Sequence, residues 1–317
     1  MLPARMDDRR ASEPPNILLT GATGFIGRHL QRVLCGAGCT LTALVRPASR
    51  HRDAVAPGVR VLEAELDDTS RLVDTLAQFD FVIYCAGAVR GRSETDFHPA
   101  NVDGVAALAS VVGHMPTPRV VLVSSLAASR PALSPYAASK RAGEALLAAS
   151  AARWVVVRPP AVYGPGDTEM RPLLAAIRRG LAPIIGPRGQ RLSLLHADDL
   201  ARAVVAVVEN FDACAGRIFE LDDGHPNGYG WGEIVAAVRG SSRCLRLPVP
   251  RVLLALLARA NLHGSKWFGY APMLTPGKVR ELCEPYWLCN NHALTAATGW
   301  APHIQLREGA RDTLARS

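Results

Sequence analysis

Apolar residues in this chain fall into short, nearly unbroken runs, separated by stretches where they return every three or four places. "NILLTGATGFIGRHLQRVL" opens the rhythm as a strand, a glycine turn and a helix. "CTLTALVR", "VRVLEAEL" and "FVIYCAG" read as the next three strands. "RVVLVSS" and "RWVVVRPP" follow, each after a helical pattern such as 102–113 or 140–152, and "RIFELDD" reads as a seventh. Runs this continuous predict parallel strands covered on both faces, because an antiparallel strand with one wet face would alternate. The predicted fold is α/β, a Rossmann-type doubly wound parallel sheet of about seven strands.

After Pro159 the rhythm loosens into "AVYGPGDTEM", "APIIGPRGQR" and "DDGHPNGYGW". The expected organisation is a disordered lead-in over 1–15 and a dinucleotide-binding domain over 16–160, rejoined by about 190–222. Residues 161–189 and 223–317 would form a smaller, loop-rich substrate cap.

Composition changes this picture little. The 317 residues carry 36 Lys and Arg against 28 Asp and Glu, for a net charge of +8. Arginine is spread along the whole chain and aromatics are scarce, so no phosphate-tracking stripe is evident and no nucleic-acid partner is expected. The seven cysteines form no CxxC pair and no Cys/His ligand spacing, which predicts reduced thiols and no metal site. No apolar run is long enough for a spanning helix and the N-terminus lacks an apolar signal core. A cytoplasmic protein is expected; its oligomeric state stays open, a homodimer being one option.

The chemistry starts at "TGATGFIG", with Gly21, Gly24 and Gly27 at three-residue steps and Thr23, Phe25 and Ile26 between them. The first glycine permits the tight turn, the second lets a pyrophosphate reach the backbone, and the third lets helix pack on strand. A diphosphate there meets the positive helix N-terminus. At the end of strand two, where an acidic residue would bind the NAD ribose, stands "LVRPASRHR", with Arg46 first and Arg50 and Arg52 nearby. A guanidinium suits a 2′-phosphate, so NADP(H) is preferred. NAD(H) stays open, since Arg46 stacked on adenine would serve either cofactor.

Taken in order, TGATGFIG, Ser125, Tyr136-x-x-x-Lys140 and "RPPAVYGPGD" make the chain resemble the extended short-chain dehydrogenase/reductases, the NAD(P)-dependent epimerase/dehydratase superfamily. Its C-terminal part looks most like 3β-hydroxysteroid dehydrogenase-like members. The resemblance implies Tyr136 as general acid/base, Ser125 as hydrogen-bond partner of the substrate oxygen, and Lys140 as the cation that lowers the phenol pKa and holds the nicotinamide ribose. A tyrosine titrating near pH 10 is otherwise a poor base at neutral pH. Lys suits this place as a compact point charge, where the wide fork of Arg would not fit. By the same resemblance Asn101 helps position the site, with a helix N-cap as its other reading, and Ser124 supports the cofactor side. Ala86 and Gly87 would pass the cofactor, Pro160 and Val162 would flank the nicotinamide carboxamide, and Glu65-Leu66 stand where the family often binds adenine with Asp-Leu. The short Ser125–Tyr136 connection implies an open substrate mouth.

Sugar-nucleotide members carry an arginine that grips the substrate diphosphate, ahead of a run ending in two aspartates. Here "LSLLHADD" puts Leu192 in its place and Arg191 one position early, which on a strand is the opposite face. Asp198 and Asp199 themselves read as helix N-terminal residues. "PVPRVLLALLARANL" gathers Val252, Leu253, Leu254, Leu256 and Leu257, and "KWFGYAPML" adds Trp267, Phe268 and Tyr270. These read either as a buried cap helix with its packing loop, or as a greasy channel for a sterol- or isoprenoid-like alcohol docked at a membrane surface. The expected activity is hydride transfer between nicotinamide and a secondary alcohol or ketone of a largely apolar small molecule. A sterol with a C4 carboxylate, lost after oxidation at C3, is the narrowest version. A nucleotide-sugar epimerase/dehydratase and a non-catalytic NADP-binding sensor or scaffold are the alternatives.

Overall fold

Alternate residues of one strand face two different cores. In β1 (Asn16–Thr20), Ile17 and Leu19 join one buried cluster while Leu18 joins another on the opposite side of the sheet. Period-two geometry makes such a strand read as an unbroken apolar run once helices cover both faces. A computed structural model describes residues 13–47, 49, 51–65, 69–115 and 117–315 of the chain. The leading residues 1–12, Arg50 and Leu66 lie outside the described residues.

The first half of the sheet unit comprises β1, α1 (Phe25–Gly36), β2 (Thr40–Val45), β3 (Arg60–Glu63), α2 (Thr69–Leu76) and β4 (Phe81–Tyr84). Its second half has α3 (Gly104–Val112), β5 (Arg119–Val123), α4 (Pro135–Ala149) and β6 (Trp154–Arg158). The chain then leaves through β7 (Ala161–Tyr163), α5 (Arg171–Arg178), β8 (Leu181–Ile185), β9 (Arg191–Leu192) and β10 (Leu194–His196). It returns with α6 (Ala197–Glu209), which packs on α1, then α7 (Phe211–Cys214) and β11 (Arg217–Glu220). The remainder holds α8 (Trp231–Arg239), β12 (Leu245–Val249), α9 (Arg251–Phe268), α10 (Pro276–Leu282), β13 (Tyr286–Trp287), α11 (His292–Thr298) and α12 (Leu306–Ala315).

Seven strands form the main sheet in the order β3-β2-β1-β4-β5-β6-β11, and every adjacent pair is parallel. The seventh strand expected from "RIFELDD" is β11. Strand order reverses between β1 and β4, which opens a crevice at their carboxyl ends, the usual ligand position in such sheets. Outside the sheet, β7 pairs with β10, β8 with β12 and β9 with β13. A separate cluster of Tyr163, Leu174, Ile177, Ile234 and Leu306 fills the space among them.

Helix α4 is held unusually closely. A Cβ at Gly143 would fall 2.2 Å from the Asn101 carbonyl oxygen, so only glycine allows the approach. One residue on, the buried Glu144 carboxylate receives Arg158 Nε at 2.9 Å and Nη2 at 2.6 Å, and Ser124 Oγ donates to it at 2.5 Å. Ser124 is thus part of this anchor.

The expectation of a buried α9 also fails. Only Leu254, Ala258 and Ser265 are buried along it, while Val252, Trp267 and Phe268 are 72%, 88% and 83% exposed. A narrow stripe anchors the helix to Val279 of α10, and the rest of its apolar surface faces outward. Among the described residues no helix is long and apolar enough to cross a membrane.

Removing one partner of a buried ion pair strands the other charge in a medium that solvates it poorly. Arg158→Leu is thus expected to lower stability by about 3–5 kcal/mol in urea unfolding. Replacing Glu144 and Arg158 together by apolar residues should cost less than the single change; an equal or larger loss would show that the pair is not what anchors α4.

Candidate active site

The glycine turn between β1 and α1 is shaped by contacts that no side chain survives. Gly21 has φ +67°, and a Cβ there would meet Ala86 N at 2.6 Å and the Cys85 carbonyl carbon at 2.7 Å. At Gly27 a Cβ would lie 2.1 Å from the Gly21 carbonyl oxygen. Gly24 caps α1 in extended conformation with no side-chain hydrogen bond, and no acidic residue occupies the first turn. Thr23, Phe25 and Ile26 are half-buried around an exposed Gly24, which leaves backbone N–H groups of a helix start open to an anion. This cradle fits a dinucleotide pyrophosphate.

The far wall of the crevice is the loop after β4. Thr20 Oγ1 accepts from Cys85 N at 3.2 Å and Ala86 N at 3.1 Å, tying this loop to the end of β1. Asn101 then fixes the next residues. Its Oδ1 accepts from Ala88 N at 3.0 Å, and its Nδ2 donates to Ala88 O at 3.0 Å and Ser139 Oγ at 2.9 Å. It sits inside a single π-helical turn, Pro99–Asp103, buried and not at a helix N-cap. Gly87 passes so close that a Cβ would stand 3.1 Å from Asn101 Oδ1 and 3.5 Å from Lys140 Nζ.

Lys140 Nζ donates to the Val123 carbonyl at 3.0 Å, at the end of β5. Burial pulls this ammonium down to about 8, with Cys85 and Glu144 opposing. Lys140 thus faces the sheet end and Gly87, the side where a nicotinamide ribose would lie. Tyr136 lies one turn earlier on the same face of α4, where the Ser125 hydroxyl acts to lower its pKa. Ser125 Oγ accepts from Ala127 N at 3.2 Å, capping the short turn that follows β5. Burial raises the Tyr136 phenol above its usual value, with Ser125 and Lys278 pulling the other way and Glu281 adding to the rise. A second cation, Lys278 of α10, also acts to lower the phenol pKa, while Lys140 Nζ is bonded to the Val123 carbonyl.

Around the opening, Glu281 binds Lys278 at 2.9 Å and accepts from Ser134, the N-cap of α4. Burial works against the Lys278 charge, but Glu281, with help from Tyr136 and Glu169, holds it above its ordinary value. Arg280 Nε donates to Leu133 O at 2.7 Å and Arg130 pairs with Glu284 at 2.5 Å. The short Ser125–Tyr136 connection is therefore bridged by the α10 segment, where the sequence reading expected an open mouth.

Among the other expected cofactor contacts, Arg46 follows β2 with an exposed side chain, and Glu65 is exposed after β3. Pro160 and Val162 are half-buried between the end of β6 and β7. All stand at the carboxyl-end side of the sheet with the glycine turn. Leu192 is held in a small bridge to Tyr229, while Arg191 turns to Glu233 on α8. Asp198 and Asp199 lie in the first turn of α6. Asp198 binds His29 and Arg32, and Asp199 accepts from His303 N at 2.9 Å and Ile304 N at 2.8 Å, so both are structural ties.

A family profile matches residues 17–221, from the first strand to just past the seventh: the NAD dependent epimerase/dehydratase family. The chain belongs to this family. A ceramide reductase of Caulobacter vibrioides is 41% identical over 285 residues, covering 86% of this chain and 85% of that protein. A 2-alkyl-3-oxoalkanoate reductase of Stenotrophomonas maltophilia is 28% identical over 95% of this chain and 99% of its own length. Among solved structures, the Bordetella bronchiseptica enzyme WbmH in complex with NAD+ superposes with a TM-score of 0.71 at 18% identity, covering 96% of this chain and 98% of that one. That likeness establishes the fold.

As a member of this family the chain is an NAD(P)-dependent enzyme of the extended short-chain reductase and dehydrogenase type. One charged side chain that bears on the Tyr136 phenol escaped sequence reasoning. Lys278 is one of only three lysines in a chain of 33 arginines, and that rarity was a usable signal.

Two outcomes follow from this geometry. A cation beside a phenol favours its ionised form, so Lys278→Met should raise the Tyr136 pKa further. For carbonyl reduction, where the protonated phenol is the active form, the alkaline fall of the kcat/KM profile should move to higher pH; a profile that stays in place would remove Lys278 from this role. Arg46→Asp should weaken NADP(H) binding by about 1.5–3 kcal/mol, the range for a charge-assisted partner, and spare NAD(H). An unchanged ratio of the two affinities in fluorescence titration would show that Arg46 does not read the 2′-phosphate.

Proposed function

We propose that this enzyme reduces a ketone on a long-chain lipid, of the class to which ceramide belongs, to the secondary alcohol, with NADPH preferred over NADH. The observation that carries the proposal is the buried Tyr136 phenol on α4, set against the segment that Ser125 opens after β5, with the Ser125 hydroxyl acting to lower its pKa. It lies between the helix N-terminus that begins after Gly24 and a segment of the cap that leads to exposed apolar surface. The 41% identity to a ceramide reductase supports the lipid class, and the second relative's name describes a ketone β to a carboxylate on alkyl chains.

In this reading the substrate carbonyl oxygen takes the place between the Ser125 and Tyr136 hydroxyls. Ser125 donates to that oxygen and holds the carbonyl carbon toward the crevice. Tyr136 releases its phenolic proton to the same oxygen as the carbon–oxygen double bond becomes single. A nicotinamide cofactor, once bound in the crevice, would provide the hydride for the carbon. The cation of Lys278 stabilises the phenolate that Tyr136 becomes, and Lys140 holds the ribose side through its ammonium. Asn101 keeps Gly87 and Ala88 clear of that space. An alcohol on the product is the balance of one hydride and one proton added.

Both reported relatives are named as reductases, which favours reduction over the oxidative step that a C4-carboxysterol would require. The nucleotide-sugar alternative is disfavoured by Arg191, whose charge is taken up by Glu233, and by Leu192 at the position where such enzymes need a cation. UDP- or dTDP-sugars should therefore neither turn over nor shift the melting temperature. A ligand at a hundred times its Kd would stabilise by about 2.7 kcal/mol, so a real sugar site would be visible.

Tyr136→Phe tests the mechanism. It removes one hydroxyl and leaves the ring beside Phe97. Reduction of a ceramide-class ketone in mixed micelles should fall by about 10²–10⁴-fold, the range for general acid–base catalysis, with cofactor affinity little changed. Lys140→Met should weaken cofactor binding as well. Undiminished turnover in the Phe variant would overturn the assignment of Tyr136, and absence of ketone reduction by the unmodified enzyme would overturn the lipid reading.

A further inference from the structure

Helix α9 divides into three sectors at 100° per residue. Leu254, Ala258 and Ser265 face inward and are buried. Arg251, Arg259 and Lys266 share one exposed flank. The remaining arc carries Val252, Leu253, Leu256, Leu257, Trp267 and Phe268, all exposed. An apolar arc of this width is not normal helix surface in water. A helix rich in Leu, Trp and Phe on one side and in Lys and Arg on the other is the pattern of a helix lying flat in a membrane interface.

The charge around it points to the same occupant. Between residues 234 and 280 the chain has six arginines and two lysines but no Asp or Glu. The other 28 basic residues are matched in number by all 28 acidic ones, so the excess of +8 falls in this stretch of sequence, although Lys278 is answered by Glu281 just beyond it. The even spread of arginine along the sequence conceals this, because the asymmetry lies in where acids are missing. A second copy of the chain is a poor partner for such a face, since pairing would bring two cationic flanks together. An anionic surface satisfies the flank and the apolar arc at once.

We propose that α9 seats the enzyme on an anionic phospholipid bilayer, with Val252, Leu253, Leu256, Leu257, Trp267 and Phe268 at the headgroup and acyl boundary and Arg251, Arg259 and Lys266 among the phosphates. Ser265 and Leu254 stay on the protein side. Helix α10, which carries Lys278 toward Tyr136, packs directly on α9. The docked face thus lies one helix away from the reaction site, and a bilayer-borne substrate has the shortest path to it.

Flotation of the full chain with vesicles of equal parts phosphatidylglycerol and phosphatidylcholine tests this without any turnover, so the result is independent of the proposed reaction. The unmodified protein should float at low salt, float less as salt screens the flank, and bind pure phosphatidylcholine weakly. Each Lys or Arg near an anionic surface is worth about a fivefold factor in partitioning, so Arg259→Glu with Lys266→Glu should weaken binding by more than about tenfold. Leu256→Glu with Trp267→Glu should abolish it. These side chains are exposed, and unchanged cofactor affinity in each variant verifies the fold. Trp267 emission should shift to the blue on vesicle addition, and the shift should be lost in Trp267→Phe. Failure of the unmodified protein to float, or flotation of the Leu256/Trp267 variant at the original level, would overturn the proposal. So would a dimer in sedimentation equilibrium that the same substitutions break while vesicles go unbound.

Discussion

The position of the buried Glu144 carboxylate governs how α4 meets the sheet. Tyr136, Lys140 and Glu144 stand at four-residue steps, so they share one face of the helix. At the lower end of that face Arg158 and Ser124 bind Glu144 from β6 and the end of β5. Gly143 lets the helix settle against the Asn101 backbone. With rotation and height set there, Lys140 reaches the Val123 carbonyl and Tyr136 meets Ser125. The charge pair holds because both partners are satisfied by hydrogen bonds as well as by each other; half of it would be a liability in the same place.

Two lysines shape the electrostatics around the phenol. Lys140 is buried and loses part of its basicity to desolvation. Lys278 keeps its charge because Glu281 faces it, and it approaches the phenol from the cap. The charges that bear on the Tyr136 phenol thereby come from two parts of the chain. Ser125 and Tyr136 belong to the sheet unit, and Lys278 and Glu281 belong to α10. Glu281 also receives Ser134, the cap of α4, so the same carboxylate links the start of the catalytic helix to the helix that covers it.

The cap then carries two surfaces on neighbouring helices. One side of α10 faces the phenol, and the other packs on the inward stripe of α9. An amphipathic helix ordinarily spends its apolar face on a core; α9 spends only Leu254, Ala258 and the residues near them. What is left outward is wide, aromatic and flanked by cations.

The sequence alone determined the elements that rest on local rules. The apolar runs specified a parallel sheet because both strand faces are covered, and the three glycines specified the turn because no Cβ fits at Gly21 or Gly27. The four-residue step from Tyr136 to Lys140 placed both on one helical face. Tertiary structure decided everything that depends on contacts across long separations. Ser124 was given to Glu144 and Lys140 to Val123, and the phenol received a cation 142 residues away, from Lys278. Burial of α9 also lay beyond the sequence. An apolar helix reads the same whether a core or open surface lies opposite, and only the packing of α10 against one narrow stripe shows which face is left outside.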